Sequence, residues 1–186
     1  MSCNWLVDSC SYFRLAQSLH PLLKTVFCEG RHSLGVIKEL QDEYKKNSSL
    51  KNKFAWIEQP RYADNRQKCF VISAGHKTEI SNAVLFMRET ARDMELGASR
   101  VDIICLAHAY VLNIPIVTDD SDLADLSKEY DVTVYNSLEL LKVMFDCGHI
   151  SIDQVRAIAS YWVYFKDTPK SYHKDFKKLF GEPIPS

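Results

Sequence analysis

Short, largely apolar runs alternate with longer amphipathic segments along this chain of 186 residues. Each of four such runs is followed by polar or turn-forming residues, which is typical of short buried β-strands. The predicted strands cover residues 4–7, 69–73, 115–118 and 132–135.

Between these runs, apolar positions recur at helical spacing. Residues 34, 36, 37, 40 and 44 are apolar and lysines fill the turn after them, so a helix is predicted over residues 33–46. Residues 100–112 are apolar on nearly every face and follow a capping residue, Ser99, which predicts a buried helix. Further helices are predicted over residues 9–20, 78–96, 120–130, 137–147 and 152–165.

This alternation of strands and helices predicts an α/β fold, a three-layer sandwich with a mainly parallel central sheet. Ligands bind such sheets outside the carboxyl ends of the strands. The composition changes after residue 148, because residues 151–186 hold six Lys and Arg against four Asp and Glu, with many aromatic residues. We therefore predict a main domain over residues 1–148 and a helical, mildly basic C-terminal extension over residues 149–186.

Overall charge and cysteine content exclude several classes of protein. The formal net charge is −1, so any binding of nucleic acid must come from a local patch. The six cysteines form no CxxC pair, which argues against a zinc knuckle and suggests thiols in a reducing, cytoplasmic setting. We expect no signal peptide and no membrane span, since the longest apolar stretches are too short.

Acidic residues are concentrated where the predicted strands end. Asp8 follows the first strand, and Asp119, Asp120 and Asp122 follow the third. Asp102 lies in the first turn of the apolar helix, where a carboxylate is costly to bury unless it is paired or bound to a cation. Carboxylates that meet at strand ends would form a hard-oxygen site for Mg²⁺ or Mn²⁺. Such ions activate water and stabilise in-line attack on a phosphodiester.

Each of these acids also has an ordinary explanation. Asp8 could simply end a strand, Asp120 could cap a helix, and Glu39 could lie on a solvated helix face. Asp102 could be favoured by the positive end of the helix dipole. Only their occurrence together, in this order and with these neighbours, indicates a site.

The arrangement resembles the PIN-domain nucleases, in particular the small toxin ribonucleases of prokaryotic toxin–antitoxin pairs. The matching stretches, within roughly residues 4–146, are LVDSCSY, VIKEL, SRVDIICLAHAYVLNIPIVTDDSDL and VTVYNSLELL. Cys10 departs from the family pattern, in which Ser or Asn is common at that position. Matched by position, the resemblance implies metal-binding acids at Asp8, Glu39, Asp102 and Asp120, a further acid at Asp122, and site hydroxyls at Ser9 and Thr118.

The resemblance implies an Mg²⁺- or Mn²⁺-dependent endoribonuclease that hydrolyses RNA phosphodiester bonds. It further implies a toxin with a protein antitoxin as partner, and a homodimer. The alternative is a PIN-like module that binds nucleic acid or acts as a scaffold with weak or no catalysis. A phosphorylatable receiver-like domain is disfavoured because no lysine directly follows residues 132–135. The RNA species, and DNA as a substrate instead, stay open.

Two groups of basic residues are candidates for substrate contact, since an acidic site needs a basic rim to receive a polyanion. One comprises Arg61, Arg66 and Lys68; the other comprises Lys170 and Lys174, which lie among aromatic residues in the C-terminal extension. Basic and aromatic residues together can follow a phosphate backbone and stack bases. The competing interpretation of the extension is an amphipathic helix whose apolar residues pack inward.

Overall fold

The computed structural model describes residues 3–67 and 69–185, and its centre is a five-stranded sheet. The strands are β1 (Trp5–Val7), β2 (Val26–Phe27), β3 (His32–Gly35), β4 (Ile116–Val117) and β5 (Val134–Tyr135). They lie in the order β2–β3–β1–β4–β5. All neighbouring strands are parallel except β2, which is antiparallel to β3.

Helices cover both faces of the sheet. They are α1 (Ser9–Leu15), α2 (Glu39–Lys46), α3 (Ser48–Lys53), α4 (Pro60–Asn65), α5 (Ala74–Asp93), α6 (Arg100–Leu112), α7 (Ser121–Glu129), α8 (Ser137–Asp146), α9 (Ile152–Tyr164) and α10 (Tyr172–Phe180). A short 3₁₀ helix, Ala55–Glu58, joins α3 to α4.

Successive residues of the central strands point into two different cores. Trp5, Val7 and Val117 pack in one core with α1, α8 and α9, whereas Leu6 and Ile116 pack in the other with α5, α6 and α7. This alternation is expected when a strand is covered on both faces. The predicted three-layer α/β sandwich with a mainly parallel sheet is therefore confirmed.

One predicted strand is wrong, and the strand that replaces it was predicted to be helical. The place beside β1 belongs to β3, so α2 begins only at Glu39 instead of at residue 33. Residues 69–73 form no strand in the structure. They pack across β3 instead, because a Cβ added at Gly35 would lie 2.7 Å from the Cβ of Cys69. The apolar run covers the sheet without joining it.

The other strands and most helices lie close to their predicted positions, with differences at the ends. Asp8 caps α1, and that helix ends at Leu15, before residue 20. Helix α5 begins at Ala74, four residues before its predicted start, because the Ser73 side chain caps it. Ser99 caps α6 as predicted.

The C-terminal extension packs onto the same core as α1 and α8. Trp162, Tyr172 and Phe176 are fully buried there, and the indole of Trp162 donates to the Arg14 carbonyl at 3.2 Å. The lysines of α10 remain exposed, so α10 has the amphipathic packing of the competing interpretation. The domain boundary near residue 148 stays a prediction.

A disulfide joins Cys28 to Cys147 across 119 residues, which the cysteine pattern did not predict. It connects the end of β2 to the residue after α8. Among the described residues, no helix is both long and apolar enough to cross a membrane. The cytoplasmic location stays a prediction.

Candidate carboxylate site

Predicted acids from two neighbouring strands lie at the carboxyl edge of the sheet, where the chain order reverses. The central strand β1 has β3 on one side and β4 on the other. Loops leaving β1 and β4 diverge at such a point and open a crevice, which is the usual ligand site of parallel sheets. Asp8 follows β1, and Thr118, Asp119 and Asp120 follow β4.

Asp8 is almost completely buried, with an exposed fraction of 1%, and it accepts three hydrogen bonds. The Ser11 amide donates to one oxygen at 2.7 Å, which caps α1. The hydroxyl of Thr118 donates to the other oxygen at 2.5 Å, and the thiol of Cys10 donates to it at 3.0 Å. Cys10 thus supplies a hydrogen bond despite its departure from the family pattern.

Thr118 connects the two ends of the site. Besides donating to Asp8, its hydroxyl accepts from the Asp120 amide at 3.0 Å. Asp120 caps α7, with the Leu123 amide donating to its carboxylate at 2.8 Å. Thr118 and Asp120 therefore occupy the neighbouring positions that the resemblance implied.

Asp102 forms a capping box with Ser99 at the start of α6. The Ser99 amide donates to its carboxylate at 2.8 Å. Burial raises the pKa of Asp102 and the bonds with Ser99 lower it, while the charge of Asp120 raises it further. The charge of Asp120, which caps α7, therefore reaches Asp102 at the start of α6.

Another acid of α2, Glu43, was missed by the sequence analysis. Burial raises its pKa, a hydrogen bond with Ser9 opposes this, and the charge of Asp102 raises it again. One oxygen, Oε2, is buried without a hydrogen-bond partner. Glu39, the predicted residue, lies one helical turn earlier and also has a buried, partnerless Oε2. The spacing of four residues was the available signal, because it places both side chains on one helix face.

The thiol of Cys105, on α6, lies within the electrostatic influence of several of these acids. Cys105 is buried, and burial is the main reason why its pKa is raised well above the ordinary value. The charges of Asp8, Asp102, Glu43 and Glu39 then raise it further, in that order. Four carboxylates from three parts of the chain therefore act on the same buried atom.

The donor set fits a divalent cation in its chemistry. All donors are carboxylate oxygens, the ligands that Mg²⁺ and Mn²⁺ prefer, and the buried Oε2 of Glu43 lacks a partner. Within residues 3–67 and 69–185, however, no three His, Cys, Asp or Glu side chains are arranged to hold one ion. Shared binding by three of them therefore requires side-chain movement.

Asp119 has a structural role. Its carboxylate forms a buried ion pair with the Arg14 guanidinium and accepts from the hydroxyl and, at 2.9 Å, the amide of Ser137. Ser11 also donates to it at 3.3 Å. These partners tie α1 and α8 to the loop after β4 and leave Asp120 as the acid that faces the crevice.

Asp122 lies in the first turn of α7 and contacts the loop before α6. It accepts from the Gly97 amide at 2.7 Å. A Cβ at position 97 would lie 2.9 Å from that carboxylate, so glycine is needed for this close approach. The contact fixes α7 against α6, the helix that carries Asp102.

The five predicted substrate contacts occupy very different places. Arg66 is only 8% exposed and donates to the Tyr12 hydroxyl and the Ile57 carbonyl, which fits packing better than substrate contact. Arg61 is exposed and lies over the Tyr62 ring. Lys68 lies outside the described residues. Lys170 and Lys174 are both exposed, and Lys170 donates to the Ser121 hydroxyl at 3.2 Å.

Lys170 also borders a cavity beside the site. This cavity has a volume of about 610 Å³ and lies between α7, β5 and the segment before α10. Asp120 and Asn136 line it together with Lys170. The C-terminal extension thus brings one cation to the edge of the carboxylate site, where Lys170 forms no ion pair with any described residue.

Fold and site together define an α/β domain with a carboxylate cluster at the reversal point of a parallel sheet. No protein-family model matches the chain, and no curated protein matches it in sequence. A solved structure entitled "Crystal Structure of FitAcB from Neisseria gonorrhoeae" superposes with a TM-score of 0.48 at 13% identity. The match covers 72% of this chain and 98% of that chain. A likeness at this level bears on neither activity nor ligands.

Burial of Asp8 predicts a specific dependence of stability on pH in the metal-free protein. Burial raises its pKa from 3.8 to about 6, so the folded state holds this proton more tightly than the unfolded chain. The associated stability is present at low pH and is lost as pH rises from about 4 to about 6. The loss should be about 3 kcal/mol.

Urea unfolding with a chelator present, at about pH 4 and about pH 7, measures this loss. Asp8→Asn removes the titrating group, so the variant should gain about 3 kcal/mol relative to the parent between the two pH values. Because both proteins contain the other buried acids, the contribution of those acids to the pH dependence cancels in the comparison. An equal stability difference at both pH values would show that Asp8 titrates normally.

Proposed function

We propose that this protein is a metal-dependent endoribonuclease with a PIN-like site formed by Asp8, Glu43, Asp102 and Asp120. The main support is that the charges of Asp8, Asp102 and Glu43 all act on the buried thiol of Cys105, while the charge of Asp120 acts on Asp102. Such a concentration of buried and partly buried like charges is unfavourable unless a cation compensates it. The sequence resemblance supports RNA as the substrate.

Each part of the site has a separate task in this proposal. Mg²⁺ or Mn²⁺, when bound, supplies positive charge to the reacting phosphate and activates water. Asp8 and Asp120 would hold the cation from adjacent strand ends, and Thr118 links the Asp8 carboxylate to the Asp120 backbone amide through its two hydrogen bonds. Glu43, whose pKa is raised by burial, is placed to accept a proton from the attacking water.

The partners implied by the resemblance belong to the same proposal. A toxin of this kind is held inactive by a protein antitoxin and forms a homodimer. The sequence resemblance alone supports both partners. Copurification of the neighbouring gene product with this chain tests the antitoxin, and analytical ultracentrifugation tests the dimer.

A PIN-like module with a silent site is the second candidate. The observation that favours it is the lack of any three side chains, among the described residues, arranged to hold one ion. A silent module would bind RNA without cleaving it. The two candidates also differ in metal binding, because only the nuclease is expected to bind Mn²⁺ at the carboxylates.

Replacing Glu43 and Glu39 in turn tests which acid of α2 belongs to the site. We expect Glu43→Gln to lower the RNA cleavage rate on the order of 10²-fold, as for the loss of one general base. Glu39→Gln should have a clearly smaller effect, because Glu43 is the acid whose pKa responds to Asp102. Rates at saturating Mn²⁺ measure the difference. A larger loss for Glu39→Gln would favour Glu39, the acid that the sequence pattern predicts.

A further inference from the structure

A basic cleft borders the carboxylate site on the side of Glu39. It has a volume of about 700 Å³ and lies between α5, α6 and the start of α2. Its basic side chains are Lys38, Lys77, Arg88 and Arg100, whereas Glu39 is its one acidic lining residue. The cleft is therefore a strongly positive patch on a protein whose net charge is close to zero.

Three of these cations are available to an incoming anion. Lys77, Arg88 and Arg100 are exposed, and none of them forms an ion pair within the described part of the chain. Lys38 lies 3.9 Å from Glu39, but its side chain is 90% exposed. Partnerless cations collected along one groove attract a polyanion and can follow its backbone.

The floor of the cleft is apolar. Ile72, Ile80, Val84 and Ile104 line it between the two helices. Ile72, Val84 and Ile104 are partly accessible. Aliphatic side chains beneath a row of cations suit a ligand that has a charged backbone and flat apolar groups. The bases of a single strand are free to enter such a groove, while those of a duplex are stacked and hidden.

The cleft borders the acids at Glu39 and at the start of α6. Arg100 begins α6, and Asp102 lies two residues further along the same helix. Glu39, at the other border, shares a helix face with Glu43. A strand that lies along the cleft would therefore pass Glu39 and the helix face that Glu39 shares with Glu43.

We propose that the cleft formed by Lys77, Arg88 and Arg100 over an aliphatic floor binds single-stranded RNA and guides it to the carboxylate site. This inference rests on the proposed function. It also assigns the main phosphate contacts to α5 and α6, away from the C-terminal extension.

Binding measured without cleavage tests this assignment. In the Asp120→Asn background, fluorescence anisotropy of a labelled single-stranded RNA of roughly a dozen nucleotides gives Kd as a function of salt. We expect Lys77→Ala/Arg88→Ala to weaken binding about tenfold or more at low salt. The slope of log Kd against log salt should fall by roughly 0.7 for each phosphate that the variant no longer neutralises. The matched control is Lys177→Ala/Lys178→Ala, which removes equal charge from exposed positions of α10.

The outcomes separate this inference from the proposed function. Equal weakening by the two double variants, or no weakening by the first, would overturn the assignment of the cleft. Tighter binding of duplex than of single strands would overturn it too. If the parent protein cleaves no RNA but the cleft variant alone weakens binding, the cleft stands and the nuclease proposal fails. The Kd for a DNA strand of the same sequence shows whether the cleft distinguishes ribose from deoxyribose.

Discussion

Asp120→Asn should lower the rate of RNA cleavage on the order of 10²–10³-fold at saturating Mn²⁺, and Asp8→Asn should do the same. Either change removes one negative charge from a site whose proposed task is to hold a cation against a phosphate. Asparagine keeps the shape of the side chain, so the loss of cleavage rate measures the effect of the missing charge. Cleavage of an end-labelled single-stranded RNA, followed on a denaturing gel, measures it.

Asp125→Asn is the matched control for this experiment. Asp125 lies on α7, five residues after Asp120, but it is exposed and pairs with Lys128. Its replacement should leave cleavage unchanged. If Asp8→Asn and Asp120→Asn also cleave at the parental rate, while unfolding in urea as cooperatively as the parent, the proposed chemistry is wrong.

Arg14→Met should produce a large loss of stability, about 3–5 kcal/mol. Arg14 pairs with Asp119 where their side chains are only 11% and 4% exposed, so its removal leaves a buried carboxylate without its counter-charge. Arg14 also holds the C-terminal extension, because its Nε donates to the Asp167 carbonyl at 2.8 Å. Urea unfolding at neutral pH measures the free energy of unfolding.

Two further variants make this prediction specific. Arg156→Met removes an arginine whose pairs with Asp153 and Glu182 are exposed, and it should cost far less. Arg14→Met/Asp119→Leu removes both buried charges, so it should recover part of the stability lost in Arg14→Met. A small loss in Arg14→Met, similar to that of Arg156→Met, would mean that the buried pair contributes little.

The positions of three of the four proposed acids follow from local rules, which is why the sequence predicts them. Asp8 and Asp120 follow short apolar strands, and parallel strands bring such residues to one edge of the sheet. Asp102 lies beside a helix start marked by Ser99. The choice between Glu39 and Glu43 could not be made from the sequence, since both lie on one face of α2. It depends on how α2 packs against α6, which is a tertiary contact.

The errors in the fold have a similar origin. The residues of β3 satisfy a helical pattern of apolar positions, and only pairing with β1 makes them a strand. Residues 69–73 are apolar enough for a strand but lie across β3 instead. The disulfide between Cys28 and Cys147 and the basic cleft also join segments that are distant in the chain. Periodicity along the chain carries no information about such contacts.

The location of Mn²⁺ in crystals grown or soaked with the ion tests the central proposal most directly. An anomalous difference map recorded near the manganese edge should show a peak in contact with Asp8 and Asp120, with Asp102 and Glu43 close to it. The peak should disappear in Asp120→Asn crystals treated in the same way. A parental crystal at saturating Mn²⁺ with no peak among these carboxylates would contradict the account and favour a silent binding module.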